Sequence, residues 1–256
     1  MKISIIGSGN LATHLSAALC INAHEILQVY SRTAANARQL AATLRCQWTD
    51  SLDAVTSEAD VYIVSVKDDA MRSVVETLCK GRESSLFIHT AGSVPLSIFD
   101  GLAPHAGVLY PMQTFTKERA VDFREIPCFV EATDAASLAV VRSLAGSITE
   151  RVVEAGSETR RILHLAAVFA CNMSNHCYRL AERLLNEHGL DFSLYHPLIM
   201  ETARKATQMS PRQAQTGPMV RYDVGVMQRQ LSLLDDPLMR DLYRLMADSI
   251  HSDNGK

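Results

Sequence analysis

Short apolar runs alternate with amphipathic stretches over the first 155 residues. Lys2-Ile3-Ser4-Ile5-Ile6 predicts a short strand, followed by a glycine-rich turn and a helix over 10–20. Positions 26–30 predict a second strand ending at Ser31-Arg32-Thr33, and 34–44 a second helix. The apolar run at 61–66 has the pattern of a parallel strand covered on both faces. Over 68–79, Met71, Val74, Val75 and Leu78 recur at helical spacing, and 86–89 predicts the next strand. Such alternation builds an α/β domain with a doubly wound, mainly parallel sheet.

The pattern continues with strands near 107–109 and 128–131, a polar loop between them, a helix over 135–145 and a last strand near 151–153. After Gly156 its character changes. Ser157 is placed to cap a long helix reaching about His188, with Gly189 as its stop. Everything beyond reads as helices, near 193–208, 224–234 and 237–250. The expected division is an α/β domain over 1–155 and an all-helical domain over 156–256. The polar tail from Ser252 is expected to fray.

Composition narrows the partners. Hydrophobic residues make up 47% and charged residues 21% of the 256, which excludes a disordered, collagen-like or coiled-coil chain. A net charge of −3 with no basic stripe argues against nucleic-acid binding. No apolar run approaches the roughly 20 residues that span a bilayer, and a strand starting at residue 2 leaves no room for a signal peptide. Cys20, Cys46, Cys79, Cys128, Cys171 and Cys177 contain no CxxC pair, so neither a disulfide framework nor a metal site is expected. The expectation is a cytoplasmic protein whose partners are small molecules, with no membrane contact.

Gly7-Ser8-Gly9-Asn10-Leu11-Ala12 is G-x-G-x-x-A, directly after a strand and opening a helix. In that context it reads as the dinucleotide turn of a Rossmann-type sheet. Gly7 permits the tight turn, Gly9 lets a pyrophosphate approach the backbone, and Ala12 lets helix and strand pack closely. The helix N-terminus favours the phosphates. At the end of the second strand, an NAD site usually carries an Asp or Glu for the ribose 2′-hydroxyl. Here Ser31, Arg32 and Thr33 offer two hydroxyls and a guanidinium, which suit a 2′-phosphate and point to NADP. The alternative for Arg32 is a solvated loop arginine. Ser65-Val66-Lys67 and Thr90-Ala91-Gly92 end later strands, where ligands of open α/β sheets sit. Asp68 either joins them or caps the helix that follows.

On the long helix, His164, Asn172 and Asn175 interrupt an apolar stretch. At 3.6 residues per turn, positions 164 and 175 share a face. Polar groups there need partners, either a nicotinamide and substrate in a cleft between the domains or a helix–helix contact. Tyr110 and Gln113, in an aromatic, polar segment, and Thr216 and Arg221, around a Gly-Pro turn, are candidate substrate contacts.

These motifs resemble a family of Rossmann-like oxidoreductases with a helical C-terminal domain of unknown function, related to pyrroline-5-carboxylate reductase and 6-phosphogluconate dehydrogenase. Its carriers are Gly7-Ser8-Gly9-Asn10, Ser31-Arg32-Thr33, His89-Thr90-Ala91-Gly92-Ser93, Tyr110-Pro111-Met112-Gln113-Thr114-Phe115, Ala170-Cys171-Asn172 and Gln215-Thr216-Gly217-Pro218. The resemblance spans the chain and implies NADP and a homodimer built through the helical domain. Three departures stand out. The family often has histidines where this chain has Tyr110 and, nearby, Gln230. The dehydrogenase relatives place a lysine before an asparagine on the long helix, where this chain has His164 before Asn172.

Three readings follow. The first is an NADP(H)-dependent oxidoreductase moving a hydride to or from a small carbonyl or imine. His164 is the expected proton donor or acceptor, since histidine titrates nearest neutral pH; Asn172 orients, and His89 is a second proton-transfer candidate. The second is an imine reductase similar to pyrroline-5-carboxylate reductase. The third is a dinucleotide-binding sensor without turnover.

Overall fold

Strands β1 (Lys2–Ile6), β2 (Glu25–Tyr30), β3 (Gln47–Thr49), β4 (Val61–Val64), β5 (Leu86–His89), β6 (Ala106–Pro111), β7 (Cys128–Ala132) and β8 (Val152–Glu154) form one sheet, in the order β3-β2-β1-β4-β5-β6-β7-β8. Every neighbouring pair is parallel except β6 with β7. Helices α1 (Asn10–Ile21), α2 (Ala34–Leu44), α3 (Asp68–Leu78), α4 (Ala135–Ile148) and α5 (Ser157–Ala167) accompany it. The expected doubly wound, mainly parallel α/β sheet of Rossmann type, followed by a helical region, is what this computed structural model shows; it describes residues 1–254.

Alternation along the strands explains why the sheet reads as apolar runs. Val61 and Ile63 of β4 enter one core with Leu15 and Leu19 of α1 and Val141 and Leu144 of α4. Tyr62 and Val64 enter the opposite core with Met71, Val75 and Leu78 of α3. Successive side chains of a strand point to opposite faces, so a strand covered on both sides must be apolar throughout. Each such Leu, Ile or Val contributes about 1.5–3 kcal/mol.

Two strands depart from expectation. β3 has only three residues, too few to show a period, and was not anticipated; Trp48 within it lies under the Arg38 guanidinium at 4.8 Å. β6 extends past residue 109, so Tyr110 is on a strand and not in a loop. Pro111 is tolerated there because β5 pairs only as far as Val108, leaving no strand on that side to need its missing N–H.

The long helix is also modified. Gly156, and not Ser157, is the N-cap of α5. Residues Val168–Met173 are π-helical, and α6 (Ser174–Glu187) follows. Gly189, at φ +69°, provides the expected stop. The wider π turns break the 3.6-residue count that put positions 164 and 175 in phase.

The chain forms two compact units, Met1–Asn172 and Met173–Lys256. Secondary structure does change character at 156, but α5 stays with the sheet because Leu163 packs on Val108, Tyr110 and Phe129 and Arg160 is bonded to β7. In the second unit, α6 is followed by α7 (His196–Gln208), the short α8 (Pro211–Ala214), α9 (Val224–Leu231) and α10 (Pro237–Asn254). Arg183 joins α6 to Asp236 at 2.7 Å, and Asp223 caps α9 by accepting the Val226 N–H at 3.1 Å. The tail expected to fray from Ser252 is helical through Asn254; its remainder lies outside the described residues. Among the described residues no helix is long and apolar enough to cross a membrane.

Candidate dinucleotide and proton-transfer site

Gly7 adopts φ +127°, a conformation that L side chains rarely take, and a Cβ there would collide with the Ser65 carbonyl. Its N–H donates to the Tyr30 carbonyl at 2.8 Å, and the Ser65 N–H donates to that of Ile6 at 2.8 Å. The turn is thereby wedged between the ends of β2 and β4. Gly9 differs: a Cβ would meet nothing within 4 Å, and no side chain caps α1 there. Space and a side-chain-free helix N-terminus are what a pyrophosphate needs. Leu11 packs partly into the core below.

Ser8 donates its hydroxyl to Ser31 Oγ at 2.8 Å, and Ser31 also accepts the Thr33 N–H at 3.4 Å. Ser31 is therefore occupied in holding the turn. Arg32 and Thr33 are exposed, and Arg32 enters no hydrogen bond or ion pair among the described residues. Burial raises the Tyr30 phenol, with Arg32 pulling the other way and Asp50 adding a smaller push upward. Asn10 donates its amide to the Phe115 carbonyl at 2.7 Å, and His14 Nε2 donates to that of Thr116 at 2.8 Å. The segment after β6 is strapped over α1 in this way. Gln113 on it is exposed, its Oε1 accepting the neighbouring Thr114 N–H.

Ser65 and Val66 are half-buried and Lys67 exposed, at the N-terminus of α3. Asp68 is not the cap; its carboxylate accepts the Ser93 hydroxyl, tying the β4 turn to the β5 turn. Thr90 is buried and donates its N–H to the Val64 carbonyl at 3.2 Å. His89 requires a correction. It has no exposed surface, stacks on Phe99 at 5.8 Å, and accepts the Ala91 N–H on Nδ1 at 3.2 Å. Burial, reinforced by the Arg160 charge, holds its imidazole down at about 3. Enclosed and neutral, it shapes the 89–91 turn and presents no exposed surface.

The close contact at this edge is elsewhere. Tyr110 Oη and His164 Nδ1 are hydrogen-bonded at 3.1 Å, with their rings edge-on at 5.9 Å. Gly92 makes the space: a Cβ on it would lie 2.6 Å from His164 Nδ1 and 2.8 Å from Tyr110 Cζ. Burial raises the Tyr110 phenol, against a smaller opposing effect of Arg160. His164 also borders a groove of about 520 Å³ with Ser93, Glu158, Arg161, Leu165 and Val168. A second groove, of about 600 Å³ along α1 and α4, holds none of the glycine-turn residues.

The first unit thus brings together Gly7, Gly9, Ser31, Ser65, Gly92, Tyr110 and His164, all at the edge where the parallel strands β1, β2, β4, β5 and β6 end or on the helix packed there. Asn172 is exposed in the π-helical segment. Asn175, Thr216 and Arg221 are exposed in the second unit. Gln230 accepts the Tyr243 hydroxyl at 2.5 Å within that unit. Sequence reasoning missed Arg160 and Glu131. Arg160 is fully buried and donates to Glu131 and, at 2.6 Å, to the Val94 carbonyl. Arginine is almost never fully buried without a partner, but nothing local in a helix rich in arginine reveals which one turns inward.

The site residues fit a nicotinamide dinucleotide: open space at Gly9, an unengaged cation at Arg32, and a turn held rigid from both sides. Comparisons with known proteins agree. Residues 2–92 match the family model for NADP oxidoreductase, coenzyme F420-dependent, and residues 126–250 match the domain of unknown function DUF2520. A Bacteroides fragilis protein provisionally assigned as an NADP oxidoreductase is 48% identical, with TM-score 0.95 over 98% of each chain. An imine reductase of Streptomyces aurantiacus shares the fold at TM-score 0.69 and 17% identity, covering 98% of this chain and 96% of that one. A pyrroline-5-carboxylate reductase of Coxiella burnetii does so at TM-score 0.58 and 18% identity, covering 99% and 97%. No curated protein matches the chain. The glycine turn, the strand order and the whole-length likeness to the Bacteroides protein place this chain in the family of NAD(P)-dependent oxidoreductases in which a DUF2520 region follows a Rossmann-like domain.

Proposed function

We propose that this protein is an NADP(H)-dependent oxidoreductase that transfers a hydride to or from a small carbonyl or imine, with His164 handling the proton. The observation that carries the reading is the Tyr110–His164 hydrogen bond, at the sheet edge that also bears the Gly7–Gly9 turn. When bound, the nicotinamide supplies or accepts the hydride. Gly9 and the N-terminus of α1 receive the pyrophosphate, and Arg32 with Thr33 receives the 2′-phosphate. Tyr110 orients the His164 ring through Nδ1, leaving Nε2 to exchange a proton with the substrate heteroatom. Tyr110, Gln113 and Asn172, all of the first unit, are the proposed substrate contacts.

An imine is the second reading. No lysine lies between 157 and 187, and a C=N that arrives protonated reduces the demand for a strong acid. The imine reductase among the structural neighbours supports it by fold alone. Single-turnover oxidation of bound NADPH, measured against a library of carbonyls and imines, tests both. Oxidation by carbonyls, by imines or by both selects the reading. NADPH binding with no oxidation by any acceptor would overturn both and leave a dinucleotide sensor.

We further propose a homodimer. Ile162, Leu165, Leu198, Leu238 and Leu245 are each more than half exposed. Helices that leave this many large apolar side chains open are commonly covered by a partner, and a symmetric dimer is the commonest solution. Light scattering is expected to return twice 28.2 kDa; a mass near 28.2 kDa at micromolar concentration would refute the dimer. The six free cysteines suit a reducing compartment, and we place the protein in the cytoplasm on that basis.

A further inference from the structure

Arg160 lies one helical turn before His164 on α5, so any slide or roll of that helix moves both. Its side chain has no exposed surface. It donates to Glu131 on β7, to the Val94 carbonyl at 2.6 Å and to Ser157 Oγ at 3.3 Å. Ser157 in turn accepts the Leu96 N–H at 2.9 Å and donates its own N–H and hydroxyl to Glu131, at 3.0 and 2.8 Å. One buried cation therefore joins β7, the 92–96 turn and the first turn of α5.

Stability does not account for this arrangement. Desolvating a guanidinium and a carboxylate costs about as much as their attraction returns, and an apolar pair of the same volume is commonly as stable or more so. Arg160 Nε even lacks a hydrogen-bond partner. What an apolar pair cannot provide is direction, because it cannot grip the Val94 carbonyl and so cannot set how the 92–96 turn stands against α5. Clearance in that place is minimal: Tyr110 and His164 occupy the space where a Gly92 Cβ would be. Their 3.1 Å bond tolerates displacements of only a few tenths of an ångström.

We infer that Arg160 is a positioning residue, whose bonds to Glu131 and Val94 hold α5 and the 92–96 turn so that His164 Nδ1 meets Tyr110 Oη. The inference rests on the reading of His164 as the proton carrier and of Tyr110 as the group that orients its ring. Its charge acts in the same place: it opposes the burial that raises the Tyr110 phenol and adds to the burial that keeps His89 neutral. The other charged groups around the pair are Glu131 on β7, Glu158 and Arg161 on α5, and Asp68 behind Ser93.

The test is the double variant Arg160→Met/Glu131→Leu, which removes both charges and leaves neither stranded. We expect the parental fold and an NADPH Kd within about twofold of the parent, since the Gly7–Gly9 turn follows β1, and β4, β5 and β6 lie between β1 and β7 in the sheet. We expect kcat to fall roughly 10- to 100-fold, the range for a reacting group displaced by up to about 1 Å. A pH limb set by Tyr110 should move upward, because the cation that opposed burial is gone. Arg160→Lys keeps the charge but loses the fork; kcat should fall while that limb stays in place. Parental kcat and pH profile in the double variant would overturn the inference, and if it does not fold, parental kcat in Arg160→Lys would do so. Nitrogen-15 NMR of the His164 ring reads the Tyr110 bond without turnover. A parent inactive on every acceptor would therefore sink the proposed function, while unchanged His164 resonances in Arg160→Lys would sink the positioning role.

Discussion

His164→Ala is expected to lower kcat by 10²- to 10⁴-fold, the usual contribution of a positioned acid or base, while leaving NADPH affinity within about 1 kcal/mol. The separation follows from where the contacts lie. His164 meets Tyr110 and Gly92 at the ends of β6 and β5, whereas the pyrophosphate turn at Gly7–Gly9 follows β1. The pH profile should lose the limb that the imidazole contributes. Asn172→Ala, in the exposed π-helical segment, should also lower turnover with NADPH affinity kept, but without changing the shape of the profile. Steady-state kinetics across pH with parallel calorimetry measure each part. If both variants instead keep kcat and lose only melting temperature, these residues are structural.

Arg32→Ala should weaken NADPH binding about 10- to 150-fold and leave NADH binding nearly unchanged. The loss corresponds to one charge-assisted hydrogen bond, about 1.5–3 kcal/mol. The structure strengthens this expectation by subtraction. Ser31, the other obvious 2′-phosphate ligand, is buried and bonded to Ser8 and the Thr33 N–H, so Arg32 and Thr33 remain as the exposed groups at the β2 end. Equal losses for both dinucleotides by calorimetry would show that Arg32 does not read the 2′-phosphate.

The elements legible in the sequence are those whose causes are local. The run at 61–66 reads as a strand because both of its faces enter cores, and α3 reads as a helix because Met71, Val74, Val75 and Leu78 form one buried stripe. Gly7 and Gly9 were legible because a φ of +127° and an open approach leave a compositional trace in the chain itself. β3 left no such trace, being too short for a period. The π-helical turn left none either, since Val168–Met173 is as helix-compatible as its flanks.

The site divides in the same way. His164 stood out as a polar residue on an apolar stretch, but its partner is 54 residues away, and nothing in a loop-like segment announces that Tyr110 belongs to a strand. His89 is equally suitable by its place at a strand end, and only the packing of Phe99 and the burial that lowers its imidazole, with the Arg160 charge adding to it, set it apart from His164. By itself the sequence determined the doubly wound sheet, the dinucleotide turn and the identity of the candidate proton carrier. These follow from the period-2 and period-3.6 patterns and from glycine's freedom, which act within a few residues. Tertiary structure alone decided the Tyr110–His164 bond and the grip of Arg160 on Val94, 66 residues distant. Hydrogen bonds and steric exclusion act over about 3 Å, so they exist only once distant segments have been packed together.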